Sequence, residues 1–179
     1  MKVVVAITGA SGSIIGLRLI EELKKRKVKV FTLISSTGKK VIEEEVGINV
    51  KPDFEEDDLF SPLASSSQVP DACVICPCTM KTLGSIANGY SDNLITRVAD
   101  NCLRMKKKVI LCVRETPLSL IHIENMRKVA LAGAMIMPLN IAFYFKPEKI
   151  EDLINFLIGK ILDLLYIEHN LYRRWKGEV

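Results

Sequence analysis

The sequence predicts a three-layer αβα fold around a doubly wound, mostly parallel sheet. Three observations carry this reading. Apolar runs of strand length recur along the chain, a longer stretch with helical spacing follows each, and the runs are apolar throughout instead of alternating. Strand–helix alternation produces parallel neighbours, because a parallel partner needs a crossover that a helix supplies. Continuous apolar character means that helices cover both faces of the strands.

The spacing places strands at 2–8, 28–35, 72–76, 109–113 and 134–137, with a weaker one at 49–51, and helices at 13–25, 37–46, 80–88, 92–105, 120–131 and 147–165. The first run, Val3-Val4-Val5-Ala6-Ile7, meets glycines at once, so it reads as a strand and not as the apolar region of a signal peptide. Segment 52–70 is acidic, then Ser-rich, and lacks periodicity, which predicts a surface excursion. In the last helix Ile150, Leu153, Ile154, Leu157, Ile161, Leu164 and Leu165 make a core stripe. Phe156, Ile158 and Leu162 widen that stripe beyond one face, which predicts a second packing surface and a homo-oligomer. No repeat and no linker interrupts the pattern, so a single Rossmann-like domain is expected over 1–179.

Composition narrows the function classes. The 179 residues carry a formal charge of +4, and acidic runs such as Glu43-Glu44-Glu45 and Glu55-Glu56-Asp57-Asp58 answer the basic residues. That is unlike the one-sided basic stripe of a nucleic-acid binder, so no nucleic-acid partner is expected. Lys160 and Asp163 interrupt the most apolar stretch, well short of the roughly 20 residues of a membrane span. Five cysteines without an export signal point to reduced thiols and a cytoplasmic location. Cys73 and Cys76 are three apart on an expected buried strand, which sets them about 10 Å apart on opposite faces, too far to share a metal ion. His122 and His169 have no metal-ligand spacing, and no G-x-S-x-G elbow is present. No metal site is expected.

Several segments leave strands at the carboxyl edge of the sheet, where doubly wound folds bind ligands. Thr8-Gly9-Ala10-Ser11-Gly12-Ser13 ends the first strand and opens a helix. Its glycines allow a tight turn, and the helix N-terminus offers N–H groups to an anion. Gly9, Gly12 and Gly16 lack the dinucleotide spacing, so the loop equally suits a capped turn. Thr79 follows the strand at 72–76 as a candidate cap, Asn88-Gly89-Tyr90-Ser91-Asp92-Asn93 opens a further helix, and Arg114-Glu115 follows the strand at 109–113. Those charges fit either a site or a plain ion pair. Tyr144 follows the strand at 134–137 and fits either a site or an aromatic core.

In order along the chain, Thr8-Gly9-Ala10-Ser11-Gly12, Pro77-Cys78-Thr79-Met80-Lys81-Thr82-Leu83, Ile86-Ala87-Asn88-Gly89-Tyr90-Ser91-Asp92-Asn93-Leu94, Arg114-Glu115-Thr116-Pro117-Leu118-Ser119 and Ala142-Phe143-Tyr144 resemble the flavin prenyltransferase family of the UbiX type. That family lies within the homo-oligomeric flavin-containing cysteine decarboxylase group. The resemblance implies FMN bound by Gly9, Ala10, Ser11, Ser35, Thr79, Met80, Lys81, Thr82 and Arg114. It implies dimethylallyl phosphate contacted by Tyr144 and Lys160, with Arg97, Arg104 and Glu45 nearby and Glu45 and Arg104 reached across a subunit boundary. Trp175 belongs to a tail that closes over the site or anchors the chain end. Reduced FMN is then the prenyl acceptor at N5 and C6, with Glu115, Ser11 and Tyr144 as catalytic groups and no metal. The product passes to a UbiD-type decarboxylase, and the assembly suggested is a dodecamer in which the C-terminal helix and tail, about 147–179, make oligomer contacts. Ile15 stands where many relatives have Tyr, and Leu139-Asn140-Ile141 replaces a more proline-rich stretch. The alternatives are an FMN-dependent oxidative decarboxylase of a cysteine-containing substrate, whose usual catalytic His and Met-Asn pair are missing here, and a non-catalytic flavin-binding subunit.

Overall fold

A computed structural model describes residues 1–175 and 177. They divide into two compact units, Met1–Pro138 and Leu139–Val179. The first unit runs β1 (Lys2–Ile7), α1 (Ser13–Lys25), β2 (Lys29–Ile34), α2 (Ser36–Val46), β3 (Phe54–Glu55), two short 3-10 turns (Pro62–Ala64 and Ser66–Gln68), β4 (Ala72–Cys78), α3 (Met80–Ala87), α4 (Leu94–Arg104), β5 (Lys108–Val113), α5 (Leu120–Leu131) and β6 (Met135–Ile136). Its six strands form one sheet in the order β3-β2-β1-β4-β5-β6, and every pairing is parallel. The chain starts in the middle of the sheet, builds outward through β2 and β3, then returns to place β4 beside β1. Crossovers leave in opposite directions at that junction and open a crevice at the carboxyl ends of β1 and β4.

The central strands are sealed on both faces. Val3 to Ile7 of β1 and Cys73 to Cys76 of β4 have no solvent exposure. Val4, Ala6, Cys73 and Ile75 pack with Leu83 of α3 and with Leu94, Ile95, Val98 and Cys102 of α4. On the opposite face Gly16 brings α1 close against Ile7 and the Cys76 carbonyl. All five cysteines are free and buried. Burial raises the thiols of Cys73, Cys78 and Cys112 and pushes Cys102 up to about 12, so these groups stay protonated and chemically quiet.

Three expectations need correction. No strand forms at 49–51; the edge strand is Phe54–Glu55, paired through Leu33 with Phe54 and Ile34 with Glu55. Side-chain anchoring decides the register, because the Asp53 carboxylate accepts from Thr32 N and Oγ1, both at 2.8 Å, and Phe54 packs edge-on against Phe31. Segment 52–70 is more than a surface excursion. Ser61 and Leu63 are buried, and the Ala64 carbonyl accepts from Arg97 Nε (3.2 Å) and Asn101 Nδ2 (2.9 Å).

The third correction concerns the second unit and its helix, α6 (Ile150–Leu164). Phe156, Ile158 and Leu162, expected to form a second packing surface, are buried, whereas the expected core residue Ile150 is 72% exposed. Helical period counts apolar positions but is blind to a chain that folds back. Residues 166–175 return along the Gly159 side, and Phe156 stacks on Phe145 with ring centres 5.1 Å apart. The exposed apolar face lies on α5 instead, with Leu120 and Ile121 each 72% exposed and Leu131 75%.

Candidate functional site

Three helices begin around the crevice, and each has its cap in place. Ser35 Oγ accepts from Gly38 N at 3.0 Å to start α2. Thr79 Oγ1 accepts from Thr82 N at 3.2 Å to start α3. Asn93 Oδ1 accepts from Thr96 N at 3.0 Å, and Thr96 Oγ1 faces Asn93 N in return, to start α4. Thr8 ties the two central strand ends together: its hydroxyl donates to the Pro77 carbonyl (2.8 Å) and accepts from Thr79 N (2.9 Å).

Thr8, Gly9, Ser35, Ser36, Thr37, Glu56, Thr79, Lys81, Thr82, Asn93 and Ile95 enclose a cavity of about 260 Å³. The N-terminal ends of α2, α3 and α4 each bring a partial charge of about +0.5. Lys81 adds a largely exposed ammonium, 3.7 Å from Asp92. Six of the eleven lining residues, Thr8, Ser35, Ser36, Thr37, Thr79 and Thr82, carry hydroxyls, so the cavity suits a phosphate-bearing ligand with further hydroxyl groups. Among the lining side chains Glu56 is the one carboxylate. It accepts from Ser36 N at 2.6 Å, while its own carbonyl accepts from Leu94 N at 2.7 Å.

Of the expected FMN residues, Gly9, Ser35, Thr79, Lys81 and Thr82 come together on this cavity, and Ala10, Ser11, Met80 and Arg114 do not line it. Ser36, Thr37, Glu56 and Asn93 were missed. The run Ser35-Ser36-Thr37 after a strand was a usable signal for the first two, whereas nothing local marks Glu56.

The glycine loop behaves differently from the anion cradle the sequence suggested. Gly12, left-handed at φ 93°, caps α1 without a side chain of its own, and Glu45 from α2 of the same chain fills the position. The carboxylate accepts from Gly12 N (3.1 Å), Ser13 N (2.9 Å) and Ser13 Oγ (2.7 Å). Partial burial works against the charge, yet hydrogen bonds from Ser11, Ser13 and Gly12 outweigh it and leave Glu45 below the usual carboxylate range.

Arg97 and Arg104 both lie on α4 and engage Asp100, at 3.8 and 3.1 Å, and Arg104 also donates to Asn101 Oδ1. Neither lines the cavity. Arg114 and Glu115 follow β5 and are exposed; among the described residues they form no ion pair, and Glu115 Oε1 accepts from Thr116 N at 3.0 Å. In the second unit Tyr144 packs edge-on against Phe145, Phe156 and Trp175, and the Lys160 ammonium stands over the Phe156 and Tyr172 rings at 5.5 and 5.2 Å. Among the described residues no group of His, Cys, Asp and Glu could hold a metal ion. No helix there is long and apolar enough to cross a membrane.

Sheet order, crevice and converging helix starts define a doubly wound α/β protein that holds a phosphate-bearing ligand at its switch point. The flavoprotein family's sequence profile matches residues 1–162. A flavin prenyltransferase UbiX of Methanocaldococcus jannaschii is 50% identical over 182 residues, spanning 98% of each chain. Among solved structures, AnUbiX (PadA1) in complex with FMN and dimethylallyl pyrophosphate superposes with a TM-score of 0.96 at 36% identity, over 99% of this chain and 98% of that one. A dodecameric FMN-dependent UbiX-like decarboxylase of Escherichia coli O157:H7 follows at TM-score 0.95 and 35% identity, over 99% and 100%. The chain belongs to the flavoprotein family and, within it, to the flavin prenyltransferases of the UbiX type.

Proposed function

We propose that this protein transfers a dimethylallyl group from dimethylallyl phosphate to reduced FMN, forming bonds at flavin N5 and C6 and releasing phosphate. The observation that carries the reading is the hydroxyl-lined cavity fed by three helix N-termini at the β1/β4 switch point, in a chain whose relatives are flavin prenyltransferases. Reduced FMN, when bound, supplies the electron-rich ring that accepts the allyl carbon. Gly9, Ala10, Ser11, Ser35, Thr79, Met80, Lys81, Thr82 and Arg114 bind it, and the hydroxyls of Ser35, Thr79 and Thr82 with Lys81 fit a phosphate and a polyol chain.

Breaking the allylic C–O bond places negative charge on the departing phosphate. Tyr144, Lys160, Arg97 and Arg104 receive that charge, with Glu45 and Trp175 as neighbours and Ser11 contacting the phosphate. Glu115, exposed at the end of β5 with no cation paired to it among the described residues, accepts the proton released on ring closure. The product serves a UbiD-type decarboxylase, in a cytoplasmic setting suited to five free cysteines. Anaerobic incubation with reduced FMN and dimethylallyl phosphate should add one prenyl unit to the flavin mass. No gain in mass with flavin binding intact would refute the assignment.

The exposed apolar face of α5 supports a homo-oligomer, and the dodecameric relative suggests twelve copies. In the segment 147–179 Ile150 and Tyr166 remain exposed for further contacts. Light scattering at micromolar concentration should report an assembly, and Ile121→Glu should weaken it. A monomeric parent protein is the result that contradicts this.

A further inference from the structure

Within the second unit, one carboxylate gathers most of the chain's final residues. Asp163 sits in the last turn of α6, where a negative charge opposes the helix dipole, so its own helix gains nothing from it. Its partners all come from the returning tail. Oδ1 accepts from Arg174 Nη2 at 2.6 Å and lies 3.1 Å from His169 Nε2, and Oδ2 accepts from the Tyr172 hydroxyl at 2.9 Å and from Arg174 Nη1 at 3.3 Å. Both arginine prongs are therefore used, the strongest geometry for this pair. Leu171 N donates to His169 Nδ1 at 3.2 Å, which turns the Nε2 edge of the ring toward Asp163 and Arg174 Nη2, the latter also at 3.2 Å. The His169 side chain is fully buried.

Two branches lead outward. Tyr172 donates to Asp163, and that bond fixes its ring against the Lys160 ammonium, which stands 5.2 Å from the Tyr172 ring centre and 5.5 Å from that of Phe156. Arg174, whose guanidinium stacks 5.6 Å from the Tyr172 ring, is followed by Trp175, which meets Tyr144 edge-on with ring centres 6.0 Å apart. Gly159 makes this approach possible. A Cβ there would fall 2.6 Å from Tyr172 Cδ1 and Cε1 and 2.7 Å from His169 Cε1. Glycine inside a helix is unfavourable relative to alanine, so the close passage of the tail accounts for its presence.

We infer that Asp163 is a positioning residue that assembles the substrate-phosphate wall of Tyr144 and Lys160, acting through Tyr172 and through Arg174 and Trp175. This rests on the prenyltransferase reading, in which Tyr144 and Lys160 meet the departing phosphate. A purely structural role would alter stability alone, whereas positioning alters the phosphate donor's KM and leaves flavin binding untouched.

The test uses the full chain with FMN, dimethylallyl phosphate as probe, and the variants Asp163→Asn and Arg174→Gln. The Arg174 side chain is 55% exposed, so its replacement leaves the fold in place. Trp175 is the chain's one tryptophan and is 64% exposed while docked, so its emission anisotropy, rather than its wavelength, reports whether the tail is held. Emission anisotropy should fall in both variants as the tail is released, and KM for dimethylallyl phosphate should rise about tenfold in Asp163→Asn, as loss of a charge-assisted hydrogen bond predicts. The FMN Kd should not change. Unchanged anisotropy in both variants, or lowered anisotropy with an unchanged KM, overturns the inference. An unaltered chain that transfers no prenyl group refutes the functional reading instead, and the emission arm still judges the latch on its own.

Discussion

Gly16→Ala is expected to lower stability by about 2 kcal/mol, or roughly 4–8 °C in Tm for a chain of this size, at fixed protein concentration. The methyl group would fall 2.2 Å from the Cys76 carbonyl oxygen and 2.9 Å from Ile7 Cγ1. Neither neighbour can step aside: one is backbone of β4, and the other is a fully buried side chain of β1. Helix propensity favours alanine by about 1 kcal/mol, less than the expected cost of overpacking. Helix α1 must therefore lift away from the two strands whose ends frame the crevice, and FMN affinity should fall along with Tm. Gly84→Ala in α3 is the matched control, because its Cβ would meet only Asn125 Nδ2 at an ordinary 3.4 Å. That variant should be stabilised by up to about 1 kcal/mol. An unchanged Tm in Gly16→Ala would show that α1 is free to move off β4.

Helix limits were legible where the apolar spacing set them. The spacing gave 13–25 and 120–131, and α1 and α5 occupy those residues. In the structure Ser119 caps α5, its hydroxyl accepting from His122 N. At 92–105 two capping groups stood side by side, and Asn93 prevails because Thr96 can answer it from the third helical position, moving the start to Leu94. Part of the cavity was legible too, Thr79 as a candidate cap after a strand and Ser35 through the family resemblance, both of them caps on strand-to-helix turns. Glu56 was not. It reaches the cavity because Asp53 locks onto Thr32 twenty-one residues upstream, a long-range hydrogen bond that no periodicity records. The width of the apolar stripe on α6 was read correctly, and Phe156 finds aromatic partners in Phe145 and Tyr172 of its own chain. Period alone cannot distinguish another subunit from a tail that turns back at Tyr166 and docks on Gly159.

Glu45 is where the chemistry of the glycine loop departs furthest from its sequence, and Glu45→Gln should expose the difference. The carboxylate sits in the last turn of α2, where it opposes that helix's dipole, and it satisfies the start of α1 instead. Replacing it with an amide turns a charged acceptor of several hydrogen bonds into a neutral one, with an expected loss of about 1 kcal/mol, in the range of an N-cap. The sign of the pH dependence follows from its depressed pKa. Stability gained from the charged form is complete above the unfolded-state value of about 4.3 and disappears as pH falls through the lower folded-state value. The gap in unfolding free energy between parent and Glu45→Gln should therefore be constant near neutrality and close in acid, as urea titrations across that range would show. A gap that widens in acid, or none at neutral pH, would mean that the carboxylate does not stabilise the loop. Because an internal anion holds Gly12 and Ser13, an incoming phosphate is directed to the neighbouring cavity, where the starts of α2, α3 and α4 converge beside Lys81. The same substitution should thus loosen the start of α1 at Gly12 and Ser13 while leaving the hydroxyl-lined cavity, which Glu45 does not line, able to bind flavin.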